Sequence, residues 1–210
     1  MASRPRVRVG IVGAGFVAHI HGEAYRHVRG VDVELVCVTA TRPERAQAYA
    51  RQFGVARAVA DFRAVLADPE VDLIDLCAPS HHHAAMAIEA ARAGKHVIVE
   101  KPLTGFFGPP TTAREEMLRS ALASADQVLA AVAAAGVRLC YAENWVYAPP
   151  IQKARRLLAA SGGPILRMIG EESHSGTHAP VNKRWATVPS SKVISIVPQS
   201  STSAPSTTLR

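Results

Sequence analysis

Short, continuous apolar runs alternate along the chain with longer segments in which apolar residues recur at helical spacing. Val7–Val12, Val33–Val38, Val71–Cys77, His96–Glu100 and Val137–Tyr141 have the length and β-branched content of strands. Between them, Phe16–Val28, Pro43–Phe53, Phe62–Ala67, His82–Ala93 and the Ala-rich Ala113–Ala135 read as helices. Their ends carry the appropriate punctuation. Pro43 opens one helix, Asp61 is placed to cap another, and Gly30, Gly54, Gly94 and Gly136 follow the last helical residues. Strands that are mostly apolar, each followed by a helix, predict a doubly wound parallel sheet with helices on both faces, an α/β fold.

The alternation stops near Asn144. Pro149–Ala160 predicts one more helix, closed by Ser161-Gly162-Gly163, and Pro164–Ser173 predicts a strand that begins a second sheet. From Ser173 to Arg210 the composition shifts to Ser, Thr and Pro, with Lys192–Val197 as a brief apolar run. The organisation read from this is a first domain over 1–144, the start of an α+β domain over 145–185 and an irregular tail over 186–210. No internal repeat is present, and Leu103–Thr112 is a Gly/Pro-rich loop.

Composition narrows the function. With 48% hydrophobic residues in 210, the chain can bury enough surface to fold. No apolar stretch approaches the roughly 18 residues that span a bilayer. The formal charge of +7 comes partly from Arg4, Arg6 and Arg8 and partly from the end of the chain, where no acid follows Glu172. It forms no basic stripe, and 5% aromatics leave little to stack on bases, so nucleic acid is not an expected partner, whereas an anionic cofactor is compatible. Cys37, Cys77 and Cys140 make no CxxC pair and are expected to be buried thiols in a reducing compartment. Arg4–Arg8 followed by Val9–Ala18 mimics a secretory signal, but three glycines interrupt the apolar run, and a cytoplasmic protein is expected.

Those glycines have a chemical reading. Gly13-Ala-Gly15-Phe16-Val17-Ala18 ends a strand and opens a helix in the G-x-G-x-x-A form of a dinucleotide loop. Gly13 makes the tight turn, Gly15 admits the pyrophosphate, and Ala18 keeps helix and strand close. Phe16 and Val17 belong to the same cofactor-facing turn, where the helix N-terminus offers free N–H groups. After Val33–Val38 an NAD site would place a carboxylate for the ribose hydroxyls. Thr39-Ala40-Thr41-Arg42 has none, and Thr41 with Arg42 suits a 2′-phosphate, which favours NADP over NAD.

Together with Ala78-Pro79-Ser80-His81-His82-His83 and Gly94-Lys-His-Val-Ile-Val-Glu100-Lys101-Pro102-Leu103, this loop resembles the Gfo/Idh/MocA family of glucose–fructose oxidoreductase and inositol dehydrogenase. The resemblance covers about residues 5–185, and Glu143-Asn144 and Gly162–Ser173 also match. It implies a Rossmann-like domain holding NAD(P) and hydride transfer to or from a sugar or cyclitol. Pro79, Ser80 and His83 would line the cofactor cleft. Glu100 and Lys101 would sit beside the nicotinamide ribose, Lys101 as the catalytic group facing substrate, and Asn144 would complete the nicotinamide side. The His81–His83 triplet reads as a loop and helix start and not as a metal centre, since three consecutive side chains do not converge on one ion. His174 and His178 are candidates for the border of a pocket.

The chain departs from the family pattern after Lys183-Arg184-Trp185. Members have a larger, mostly antiparallel second domain that binds substrate and often mediates homo-oligomers, with a Gly-rich segment and a His that acts with the Lys. Here no Gly-Gly-Gly run, downstream acid or later His follows. A truncated or frame-disrupted member is expected on this ground. Two readings stand: an NAD(P)-dependent oxidoreductase acting on a sugar-like substrate, or a non-catalytic dinucleotide-binding fragment or regulatory module.

Overall fold

The computed structural model describes residues 4–165 together with the strands Met168–Ser173 and Ser191–Ile196. The chain divides into two compact units, Met1–Asn144 and Trp145–Arg210.

The first unit is built on strands β1 (Arg6–Val12), β2 (Asp32–Thr39), β3 (Arg57–Ala58), β4 (Leu73–Leu76), β5 (His96–Glu100) and β6 (Leu139–Ala142). They form a single parallel sheet in the order β3-β2-β1-β4-β5-β6. The helices are α1 (Phe16–Tyr25), α2 (Pro43–Phe53), α3 (Phe62–Ala67), α4 (His83–Arg92) and α5 (Arg114–Ala135). The sheet separates two cores. Val9, Ile11 and Val38 pack with Ala18, Ala46 and Tyr49 of α1 and α2. Val36, Ile74, Leu76, Val97 and Val99 pack with Val65, Ala87, Ala91, Val128 and Val132 of α3, α4 and α5. This is the doubly wound arrangement that the apolar strands predict, and the crossovers on opposite faces place a crevice between the carboxyl ends of β1 and β4.

Local chemistry explains the joints. Pro43 occupies the start of α2, and Gly54 ends it in the left-handed region at φ 68°. Asp61 caps α3 by accepting a hydrogen bond from the Ala64 amide at 2.9 Å. Gly10 is required by packing, since a Cβ there would lie 2.7 Å from the Val65 side chain, and the β1–β2 register shifts at that point. Arg8 binds Asp72 through its amide, Nε and Nη2 at 2.8–3.0 Å, which joins the starts of β1 and β4.

The structure adds one element and corrects two expectations. The two-residue β3 has no apolar run to announce it. It pairs Arg57 and Ala58 with Cys37 and Val38. α1 stops at Tyr25, and the following residues close with tighter turns from His27 to Ala24 and from Val28 to Tyr25. Of the cysteines only Cys37 is buried. Cys77 is half-buried, and Cys140 is exposed on the edge strand β6.

In the second unit, α6 (Pro149–Ser161) ends at a left-handed Gly162, and β7 (Met168–Ser173) pairs antiparallel with β8 (Ser191–Ile196). The β8 strand falls within the segment expected to be irregular. His174, His178 and Lys183–Trp185 lie outside the described residues. Among the described residues no helix is long and apolar enough to cross a membrane.

Candidate functional site

Three loops meet at the carboxyl ends of β1, β4 and β5. The first is the glycine loop. Gly13 has φ 103°, and a Cβ on it would come within 2.5 Å of the Cys77 carbonyl oxygen, so β1 and β4 approach each other only with glycine there. Its amide is already committed, donating to the Thr39 carbonyl at 2.8 Å. Gly15 is different. It is extended, at φ −94°, and a Cβ built on it would meet nothing within 4 Å. Nothing in the surrounding protein demands glycine at 15, and the open space lies at the N-terminus of α1.

That N-terminus has no side-chain cap and no acid in its first turn. Its amide donors are therefore available to an anion, and the helix dipole favours one. Phe16 is 82% exposed, Val17 half-buried and Ala18 fully buried. The Ala18 carbonyl accepts the Tyr49 hydroxyl at 2.9 Å, which locks α1 against α2. A groove of about 500 Å³ beside the loop is lined by Ala14, Gly15, Phe16, His19, Arg45 and Ala48. Thr41 and Arg42 are exposed at the entry to α2, with Arg42 in the capping position. Arg45, which sequence reasoning did not single out, adds a second guanidinium on the same side. A hollow of about 550 Å³ between α4 and α5, lined mainly by alanines with Ile88, Arg92 and Gln127, gathers none of these groups.

The second loop follows β4. Pro79 is exposed, Ser80 half-buried, and Ser80–His82 form one turn of 3₁₀ helix before α4. His81 and His82 are exposed, with ring centroids 3.9 Å apart. His83 is expected to line the cleft, but the structure buries it at 1% exposure. Its Nδ1 lies 2.8 Å from the Pro102 carbonyl and its Nε2 2.9 Å from the Ala78 carbonyl. The ring thus clamps the loop after β4 to the loop after β5 and shapes the cleft from behind.

The third loop is Glu100-Lys101-Pro102, with a cis peptide between Lys101 and Pro102. Lys101 is exposed, and its amide donates to Glu100 Oε2 at 3.1 Å. Asn144 is exposed at the end of the first unit, two residues past β6.

Beneath these loops lies a polar cluster that the sequence reading did not identify. Asp75, fully buried in the middle of β4, receives the Tyr25 hydroxyl at 2.8 Å and the Cys77 thiol at 3.6 Å. His21 Nδ1 lies 2.9 and 3.1 Å from its two oxygens, and His21 Nε2 lies 3.2 Å from Glu100 Oε1. Burial is the largest influence on His21 and opposes its protonation. The hydrogen bond and charge of Asp75, with the charge of Glu100, outweigh it and raise its pKa above the ordinary 6.5. Burial and the adjacent Asp75 push the Tyr25 hydroxyl and the Cys77 thiol up. Candidate ligand atoms of His21, Asp75 and Cys77 lie within 4.8 Å of one another. Their mutual contacts are those of hydrogen bonds, with His21 Nδ1 and Cys77 Sγ both turned to the Asp75 carboxylate. One signal for the cluster was available in the sequence: a lone carboxylate inside an otherwise apolar strand, Leu73-Ile74-Asp75-Leu76.

Comparison with known proteins agrees with the fold. The model of an oxidoreductase family with an NAD-binding Rossmann fold, Gfo/Idh/MocA, matches residues 7–141. Levoglucosan dehydrogenase of Pseudarthrobacter phenanthrenivorans is 38% identical over 104 residues, 46% of this chain and 26% of that protein. Myo-inositol 2-dehydrogenase of Thermotoga maritima is 32% identical over 98 residues, 47% of this chain and 29% of that protein. A levoglucosan dehydrogenase solved with NADH and levoglucosan superposes with a TM-score of 0.68 at 25% identity, covering 82% of this chain and 45% of that one. A 3-ketoreductase of Actinomadura kijaniata solved with NADP and TDP-benzene gives 0.61 at 25% identity, covering 74% and 42%. The chain thus spans 26–29% of the two curated relatives and 42–45% of the two solved chains.

Proposed function

The chain belongs to the Gfo/Idh/MocA oxidoreductase family, and from that premise we propose that its first unit holds a nicotinamide dinucleotide for hydride exchange with a sugar or cyclitol carbon. The observation that carries the reading is the open space at Gly15, at the uncapped N-terminus of α1 and at the reversal of strand order. A glycine that its own protein does not require, facing free amide donors, suits the close approach of a pyrophosphate.

The residues present fit the group. Gly13 and Gly15 shape the loop, and the first-turn amides of α1, through Phe16, Val17 and Ala18, receive the pyrophosphate. Thr41 and Arg42 hold the 2′-phosphate of NADP, with Arg45 close by in the groove. With no carboxylate in Ala40–Arg42, NADP is the favoured cofactor over NAD. Pro79 and Ser80 border the cleft, and His83 fixes the loops behind it. Glu100 and Lys101 flank the nicotinamide ribose, and Asn144 stands on the nicotinamide side.

The bound nicotinamide supplies the hydride acceptor or donor. Lys101, exposed at the end of β5, directs its ammonium to the substrate oxygen. In the reduction direction the ammonium gives a proton to the carbonyl oxygen as hydride reaches the carbon, and in the oxidation direction the uncharged amine takes the hydroxyl proton as hydride leaves. The levoglucosan, inositol and 3-keto chemistry named for the relatives supports a polyhydroxylated substrate of this kind.

Thermal unfolding with added NADPH and NADH tests the cofactor reading. A ligand at 100 times its dissociation constant, bound only to the folded state, adds about 2.7 kcal/mol. Stabilisation by NADPH exceeding that by NADH, with the difference lost in Arg42→Ala, is the expected result. No stabilisation by either cofactor overturns it. Cofactor reduction across a panel of sugars and cyclitols then tests the reaction.

A further inference from the structure

The buried cluster under Glu100 has no role in the reading above, although it touches the loop that presents Lys101. Its parts form a continuous series. Asp75 is buried, with 0% exposure, in a strand paired on both sides, where Ile11 and Ile98 are its neighbours. Tyr25 from α1 and Cys77, one residue past β4, donate to it. His21 spans from Asp75 to Glu100, and Glu100 accepts the Lys101 amide with its other oxygen.

Proton inventory decides the form of the bridge. Both groups facing His21 are carboxylates, which accept hydrogen bonds and do not donate them when ionised. A neutral imidazole carries one N–H and would set a lone pair against one of these oxygens. The imidazolium carries two and satisfies both. Side-chain exposures of 16% for His21, 0% for Asp75 and 13% for Glu100 leave little water to substitute for a missing proton.

We propose that His21 is a positioning residue: as a doubly protonated bridge from Asp75 to Glu100, it fixes the Glu100 carboxylate and, through it, the backbone that presents Lys101. Asp75 is the anchor of this bridge. The assignment rests on the proposed role of Glu100 and Lys101 at the nicotinamide. The titratable groups that face His21 are Asp75 from β4, Cys77 just after it, Glu100 from β5 and, next to Asp75 on His21's own helix, Tyr25. The pull of the two carboxylates holds the bridging proton to higher pH than an ordinary imidazole would, and the bridge opens as His21 loses that proton above pH 6.5.

Nitrogen-15 NMR of the full chain reads this directly. At pH 6 both ring nitrogens of His21 are expected at protonated shifts. The Lys101 amide proton should move as pH rises above 6.5, with the same midpoint as the ring. In His21→Gln, which cannot reach both carboxylates, the Lys101 amide should lose that titration. Asp75→Asn is a second variant, expected to return the His21 midpoint toward 6.5. One unprotonated ring nitrogen at pH 6, or a Lys101 amide indifferent to pH and to both substitutions, overturns the proposal. NADPH titration adds a functional readout. His21→Gln should weaken binding roughly tenfold, the size of one lost hydrogen bond to a charged group, and flatten the pH profile of the dissociation constant. Unaltered affinity and profile in that variant overturn the positioning role. If the wild-type chain binds no NADPH, the cofactor reading fails, and the NMR midpoints alone decide on His21.

Discussion

Gly13 and Gly15 differ in their reasons for being glycine, and that difference is measurable. At 13 the backbone is in the left-handed region and a Cβ would strike the Cys77 carbonyl at 2.5 Å. Gly13→Ala is therefore expected to lower stability by about 3 kcal/mol, combining strain with a backbone clash. At 15 the backbone suits any residue and the space is open. Gly15→Ala should cost less than about 1 kcal/mol, the range of a capping change. It should nonetheless weaken NADPH binding by about tenfold or more, because the methyl group occupies the approach to the α1 amides. Urea denaturation and a fluorescence titration on the two variants separate the roles. Equal stability losses would remove the distinction.

At the scale of elements, α3 is the test of local chemistry. It has six residues and depends on its Asp61 cap, so Asp61→Ala should cost about 1 kcal/mol in chemical denaturation. The elements that could be read from sequence share a property: their signal lies within a few neighbours. Pro43–Phe53, Phe62–Ala67 and His96–Glu100 were legible because caps and apolar periods mark both ends. The β3 strand was not, because Arg57 and Ala58 become a strand only by pairing with Cys37 and Val38. The exposure of Cys140 was missed because an apolar run on an edge strand looks like one at the centre of a sheet. The site divides the same way. The glycine loop and Glu100-Lys101-Pro102 were legible as contiguous motifs. His21 and Asp75, 54 residues apart, meet only because α1 packs over β4, and no periodicity encodes that.

For the whole first unit, stability should be confined from both sides of the pH scale. Asp72 is held below its ordinary 3.8, chiefly by its hydrogen bond from Arg8. Its contribution is complete above 3.8 and is lost as pH falls through the lower, folded value. His21 is raised above 6.5, so its contribution is complete below 6.5 and is lost as pH rises through the folded value. Urea midpoints measured from pH 3 to 9 should be highest between these limits. Asp72→Asn should flatten the acid side, and His21→Gln the alkaline side. Asp72 is 36% exposed along its side chain, so its effect should be the smaller of the two.

The strand order also has a consequence for the chain as it is synthesised. The central strand β1 lacks one of its two partners until β4 has been made, since Val12 pairs with Leu76. The sheet is complete when Ala142 pairs with Glu100. Up to that point the nascent chain exposes an apolar strand edge at its growing end, where chaperones bind and premature chains aggregate. Once residue 144 leaves the ribosome, the first unit holds every strand of its sheet and can close before the remaining residues are added.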